Sequence, residues 1–175
     1  MLINLSELFP VEGKSKTYDL ELEMTQFHAP DGVYGIVEKH PVNLVITNQG
    51  DKVLTVKGEA DVCLEMPCSR CLEPVKVPFH LEIDQELDMN QSDEERVEDL
   101  DEQPYVNGYK LDIDQLVGNE LTLNLPMAVL CSDNCKGICD RCGTNLNHET
   151  CDCDNRPLDP RMSVIQDIFK QSKEV

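Results

Sequence analysis

The chain has 175 residues, with 34 acidic and 15 basic side chains, a formal net charge of -19, 5% aromatics and no tryptophan. That length buries one moderate core, or a core with a small satellite module, and the core here must be mostly aliphatic. A field of this sign repels phosphate backbones, which argues against an extensive direct nucleic-acid surface and favours a basic protein partner; keeping the protein soluble is the other use of such charge.

The opening residues 2–9 place Leu2, Leu5, Leu8 and Phe9 at helical spacing before Pro10, which predicts a short helix. Tyr18, Leu20, Leu22 and Met24 then alternate with acidic residues, the pattern of a half-buried strand, and Val42, Leu44 and Ile46 begin another before the turn-rich 48–51. The two clearest runs follow. Leu54, Val56, Ala60, Val62, Leu64 and Met66 alternate with polar residues, and so do Val75, Val77, Phe79, Leu81, Ile83, Leu87 and Met89. Two long strands with one wet face each predict an antiparallel hairpin, with Cys68 and Cys71 at its tip.

Residues 90–103 are acidic and nearly free of apolar side chains, which predicts a solvated loop. Residues 105–111 are expected to add a strand. Ile113, Leu116, Val117 and Leu121 share one helical face behind Asp112 as N-cap, with Pro126 beyond. At the end, Asp159-Pro160 precedes a stripe of Met162, Ile165, Ile168 and Phe169, the pattern of a closing helix. The expected fold class is α+β: an antiparallel sheet, two or three helices and a C-terminal zinc knuckle. The expected division is residues 1–126 for the sheet domain with its acidic loop, and 127–175 for a cysteine-rich zinc module and closing helix packed on it.

Nine cysteines stand in a chain whose first residues show neither a basic leader nor a long apolar run. No stretch approaches the roughly 20 apolar residues of a bilayer span. A cytoplasmic location is expected, where thiols stay reduced, so the cysteines point to metal and not to disulfides. Cys131, Cys135, Cys139, Cys142, Cys151 and Cys153 are the candidate ligands, spaced so that thiolates converge on one ion from tight turns. Six exceed four places. The first-ranked set is Cys131, Cys135, Cys139 and Cys142; the rival closes Cys139 and Cys142 with Cys151 and Cys153. His148 is a fallback ligand. Zinc (Zn2+) in a structural role is expected, with an iron–sulfur cluster or redox dithiols as alternatives. Cys68 and Cys71 could supply further ligands if the hairpin folds onto the tail. Cys63 reads as an ordinary structural thiol.

The segment Pro67-Cys68-Ser69-Arg70-Cys71-Leu72-Glu73-Pro74, the acidic loop, the run from Cys131 to Asn147 and the closing Asp159-Pro160-Arg161-Met162 occur in an order that resembles the YceD family, the large ribosomal RNA subunit accumulation proteins of bacteria and plastids. The resemblance is firmest from Leu54 to Phe169. It implies a role in accumulation or processing of large-subunit ribosomal RNA during ribosome assembly. Carried over by position, the family's C-x-R-C is Cys68, Arg70 and Cys71, candidates for partner binding. The metal-bearing knuckle is Cys131, Cys135, Cys139 and Cys142, with Cys151 and Cys153 behind it.

The expected function is thus a non-enzymatic ribosome biogenesis factor. Its partner is expected to be a basic ribosomal protein or rRNA-processing factor, with the rRNA reached indirectly and no membrane or small-molecule substrate. No catalytic residues are assigned, since no H-E-x-x-H, nucleophile elbow or phosphate loop occurs. The competing readings are a thiol- or zinc-dependent enzyme and an acidic adaptor unrelated to ribosomes.

Overall fold

The structure, a computed structural model, describes residues 1–91 and 103–153. Its main element is the hairpin that the alternation foretold. The strands that will be called β6 (Val53–Pro67) and β7 (Pro74–Asp88) pair antiparallel along their whole length, from Val53 opposite Asp88 to Pro67 opposite Pro74.

On its other edge β6 takes two partners in succession. β5 (Val42–Gly50) pairs with residues 53–59, and β4 (Gly32–Lys39) with residues 62–65. Both run antiparallel to β6, so β4 and β5 act as one long strand interrupted at His40-Pro41. The His40 N–H still donates to the Asp61 carbonyl at 3.0 Å across that break. β2 (Ser15–Leu20) lengthens the sheet beside β5, and β3 (Gln26–Ala29) beside β4. A separate small sheet joins β1 (Leu2–Asn4), β9 (Lys110–Asp112) and β8 (Val106–Asn107), in that order.

The inward residues of the hairpin, Leu54, Val56, Ala60, Val62, Leu64, Phe79, Leu81 and Ile83, form one aliphatic core with Val42, Leu44 and Ile46 of β5. Helix α1 (Ile113–Leu123) contributes Ile113, Leu116, Val117 and Leu121 to the same core. Every one of these side chains is hidden while its strand neighbours Lys57, Glu59, Asp61, Glu65 and Glu82 face water. This in–out alternation is what sets the register, because a slip of one residue would turn the whole apolar set outward.

The fold class departs from the α+β expectation. Among the described residues the protein is predominantly antiparallel β with one helix. The helix expected over residues 2–9 does not form. Leu2 to Asn4 pair with Asp112 to Lys110 instead, the Leu5 N–H donates to the Tyr109 carbonyl at 2.8 Å, and a turn then carries Leu5 and Leu8 into full burial. A segment this short cannot nucleate a helix unaided, so strand pairing with a distant partner prevails. The closing helix expected from Asp159, with Asp159, Pro160 and Arg161, and nearly all of the acidic loop lie outside the described residues. The strand expected over 105–111 is two short strands turned at Gly108, where φ is +56°. The β3–β4 hairpin is an addition that the alternation did not announce.

Helix α1 begins as expected. The Asp112 carboxylate accepts the N–H groups of Asp114 and Gln115, filling two of the donors that a helix start leaves open. Asp112→Ala is expected to lower stability by about 1 kcal/mol, read as a shifted denaturant midpoint, with Asp112→Asn close to wild type. An unchanged midpoint in the alanine variant would rule out the capping role. No helix among the described residues is long and apolar enough to cross a membrane.

Candidate metal centre

The hairpin ladder stops where two prolines face each other, Pro67 and Pro74. Between them the chain turns tightly. The Cys68 N–H donates to the Glu73 carbonyl at 2.8 Å, the Leu72 N–H to the Cys68 carbonyl at 2.9 Å, and Leu72 adopts φ +64°. A branched side chain in the left-handed region costs about 1–2 kcal/mol, so the tip is held in a conformation its sequence does not favour locally. The result turns Cys68 and Cys71 inward, 0% and 5% exposed, and leaves Leu72 outside.

Beyond α1 the chain returns to this tip. The Ser69 N–H donates to the Val129 carbonyl at 2.7 Å, and the Val129 N–H to the Ser69 Oγ at 3.1 Å. That places Cys131 and Cys135 over the tip. The Cys71 and Cys131 sulfurs are 3.5 Å apart, those of Cys68 and Cys135 3.8 Å, and all four lie within 4.8 Å of one another. Zinc–sulfur bonds of about 2.3 Å in a tetrahedron place sulfurs about 3.8 Å apart. The observed spacing suits four ligands around a common ion and is far too wide for a disulfide of about 2.0 Å.

A second group of four follows. Cys139, Cys142, Cys151 and Cys153 also keep their sulfurs within 4.8 Å of one another. Its first half is a knuckle: the Cys139 N–H donates to the Thr144 carbonyl at 2.8 Å, and the Gly143 N–H to the Cys139 carbonyl at 2.9 Å. Gly143 sits at φ +75°, where a Cβ would strain the backbone. Each group could hold a metal ion.

Donors surround these sulfurs. The N–H groups of Cys71, Arg70 and Cys131 hold the Cys68 thiol down at about 6. The Asn147 side chain, 3.3 Å from the Cys135 sulfur, and the Gly137 N–H hold that thiol below its ordinary value. Cys71 receives the Glu73 N–H, which lowers it, yet burial and the sulfurs of Cys68, Cys131 and Cys135 push it well up. In the second group Thr144, through hydroxyl and N–H, holds Cys142 down at about 6, whereas Cys142 beside it and burial push Cys153 up to about 12. Each group therefore sets a thiol held low, Cys68 or Cys142, beside one that keeps its proton, Cys71 or Cys153. A divalent cation would replace those protons and cancel the repulsion among the sulfurs.

The six tail cysteines are thus split. Cys131 and Cys135 lie with Cys68 and Cys71, and apart from Cys139 and Cys142, so the first-ranked set is not brought together; the rival set of Cys139, Cys142, Cys151 and Cys153 is. His148 joins neither group. Its Nε2 meets the Glu73 carboxylate at 2.6 Å, and that contact holds Glu73 below the usual carboxylate range. Arg70 is exposed at the tip, with Nη1 donating to the Cys135 carbonyl at 2.9 Å. Cys63 stands in β6 outside both groups. The partnership of the tip with the tail carried one sequence signal: eight clustered cysteines make two complete sets of four.

The fold and its thiols define a class, a β-sheet protein whose long hairpin ends at paired four-cysteine groups. The chain belongs to the YceD family, whose model, described as large ribosomal RNA subunit accumulation protein YceD, matches residues 56–169. That interval includes all but the first three residues of the hairpin and all eight grouped cysteines. The chain is 28% identical over 121 residues to the uncharacterized protein YlbN of Bacillus subtilis, covering 69% of this chain and 66% of that one. It is 28% identical over 65 residues to the chloroplastic large ribosomal RNA subunit accumulation protein YCED homolog 1 of Arabidopsis thaliana, covering 37% of this chain and 20% of that one. An uncharacterized Mycobacterium tuberculosis protein is 26% identical over 102 residues, 58% of this chain and 49% of that one. The chain therefore spans just under two thirds, a fifth and about half of these relatives. No solved structure matches. The family's description names the accumulation of large-subunit ribosomal RNA.

Proposed function

We propose that the chain is a non-catalytic ribosome biogenesis factor that promotes accumulation of large-subunit ribosomal RNA in the cytoplasm, with zinc as a structural cofactor. The observation that carries this is the family match over residues 56–169. The relative from Arabidopsis bears the same description in its name.

The chemistry supports a structural role for the metal. A catalytic zinc keeps an open position for water or substrate, whereas four thiolates close the coordination shell. Zinc fits the donor set because it takes soft sulfur ligands in a tetrahedron without a redox change. A net charge of -19 favours recognition of a basic ribosomal protein or processing factor over the RNA itself. Of the three tip residues that the resemblance singles out, the exposed Arg70 is the candidate contact, while Cys68 and Cys71 are buried among the grouped thiols.

Cells lacking the protein are expected to show a deficit of large ribosomal subunits and of their RNA relative to the small subunit, read by sucrose-gradient sedimentation. Balanced subunits would overturn the ribosomal role. Recovery of protein-free rRNA by the purified chain, with salt-sensitive binding, would overturn the basic protein partner.

A further inference from the structure

We propose that the chain binds two zinc ions with separate tasks: one, held by Cys68, Cys71, Cys131 and Cys135, clamps the cysteine-rich segment to the hairpin tip, and the other, held by Cys139, Cys142, Cys151 and Cys153, folds that segment on itself. The proposal rests on the structural-zinc part of the function given above and assigns it a division of labour.

The first argument is where the ligands come from. The clamp joins a turn at residues 68–71 to a segment more than fifty residues further on, with α1 between them. The second group draws all its ligands from residues 139–153. A metal in the first group therefore closes a long loop and fixes tertiary structure, while a metal in the second closes only a short one.

The second argument is how little else holds the segment down. The apolar cluster at the junction consists of Cys68, Cys71 and Cys135 with Val75 and Leu130 packed against it, and of residues 127–153 Val129 joins the main core. The polar contacts include the Ser69–Val129 pair of hydrogen bonds, the Ile138 N–H to the Arg70 carbonyl at 3.1 Å, the Arg70 guanidinium on the Cys135 carbonyl, His148 and Asn145 on Glu73, and the Cys131 N–H on the Cys68 sulfur. Each such bond contributes on the order of 1 kcal/mol net, against an ordering cost of about 1–2 kcal/mol for every backbone residue fixed. Ordering residues 127–153 on these contacts alone is a losing balance. A structural zinc ion adds free energy of the missing size.

The third argument is the setting of the sulfurs in the clamp. The Cys131 N–H donates to the Cys68 sulfur at 3.4 Å, and the Asn147 amide, itself fixed by the Lys136 N–H at 2.8 Å, donates to Cys135. Donors aimed at sulfur orient the ligands and offset the charge of a tetrathiolate centre. Gly137 completes the fit, since a Cβ there would come within 3.1 Å of the Arg70 carbonyl, at a residue with φ +77°. The clamp thereby sets the position of Arg70 through both its backbone and its side chain.

The test is metal counting and hydrogen exchange on the full chain, purified under reducing conditions. Native mass spectrometry is expected to find two zinc ions per chain, one in the double variant Cys68→Ser/Cys71→Ser, and one in Cys151→Ser/Cys153→Ser. In the first variant the Val129 and Ile138 amides lose protection while those of Cys139 and Gly143 keep it; in the second the pattern reverses. Retained protection across β5 and β6 shows that the sheet is folded in both. One ion in the wild type, a visible iron–sulfur chromophore, or two ions in the Cys68/Cys71 variant overturns the proposal. The wild-type count decides even if a variant fails to fold. A count below two removes the division of labour between two ions and leaves the ribosomal role to its sedimentation test.

Discussion

Chelating the metal from the folded protein at neutral pH is expected to release residues 127–153 while the sheet of β2–β7 stays intact. The segment has few apolar residues to hide, and Met127 is fully exposed. A structural zinc ion in a small module supplies about 10–16 kcal/mol of apparent binding free energy near neutral pH, far more than the contacts at the hairpin tip. The sheet has its own continuous core and no cysteine of either group within its strands. Hydrogen exchange before and after chelation reads the result directly: amides of Ile138, Cys139 and Gly143 exchange freely, and those of Leu44, Val56 and Leu81 do not. Metal affinity is also expected to rise with pH, because each ion must displace the protons that its thiols hold. Chelator competition at two pH values checks the sign. A segment that remains protected without metal would mean that packing alone holds it.

Gly58→Ala is expected to be among the most damaging single changes in the sheet. Gly58 lies in β6 opposite Leu44 on one side and Ile83 on the other. A Cβ added there would stand 2.1 Å from the Asn43 carbonyl oxygen and 2.6 Å from Leu44 Cδ2. The first obstacle is backbone, so β5 itself must move away and the ladder with it. Overpacking of this kind costs about 1–3 kcal/mol, occasionally more, and the backbone clash places Gly58 at the upper end. Gly35 in β4 is the control, since a Cβ there meets nothing within 4 Å. Gly35→Ala is expected to be neutral or slightly stabilising, by about 0.4–1 kcal/mol through the unfolded chain. Equal melting temperatures for the two variants would refute the packing argument.

What the sequence disclosed follows from which forces act locally. The β6–β7 hairpin was legible because one face is wet and the other dry along some fifteen positions, and α1 because Asp112 marks its start. Residues 2–9 misled because Leu2, Leu5 and Leu8 fit a helical spacing, whereas pairing with β9, over a hundred residues away, leaves Leu2 exposed and Ile3 buried. The β3–β4 hairpin was hidden because its strands are short and half exposed, Val33 and Val37 outside and Phe27 and Tyr34 inside, with a register shift after Ile36. The cysteine spacings revealed metal chemistry but ranked neighbours in sequence first. Hairpin topology decides which thiols meet, and it brings Cys68 and Cys71 to Cys131 and Cys135 while Cys139 and Cys142 wait for Cys151 and Cys153.

Among the described residues β7 has β6 as its one strand partner. An open border of that length is ordinarily an invitation to stack copies of a protein into fibrils. Here Pro74 and Pro78 bring no N–H to such a seam, and an approaching second copy would bring Glu82, Asp84 and Glu86 against its own like charges. The surplus of negative charge thus acts as a safeguard at a particular place, discouraging self-association along the very strand that carries the thiols at its far end.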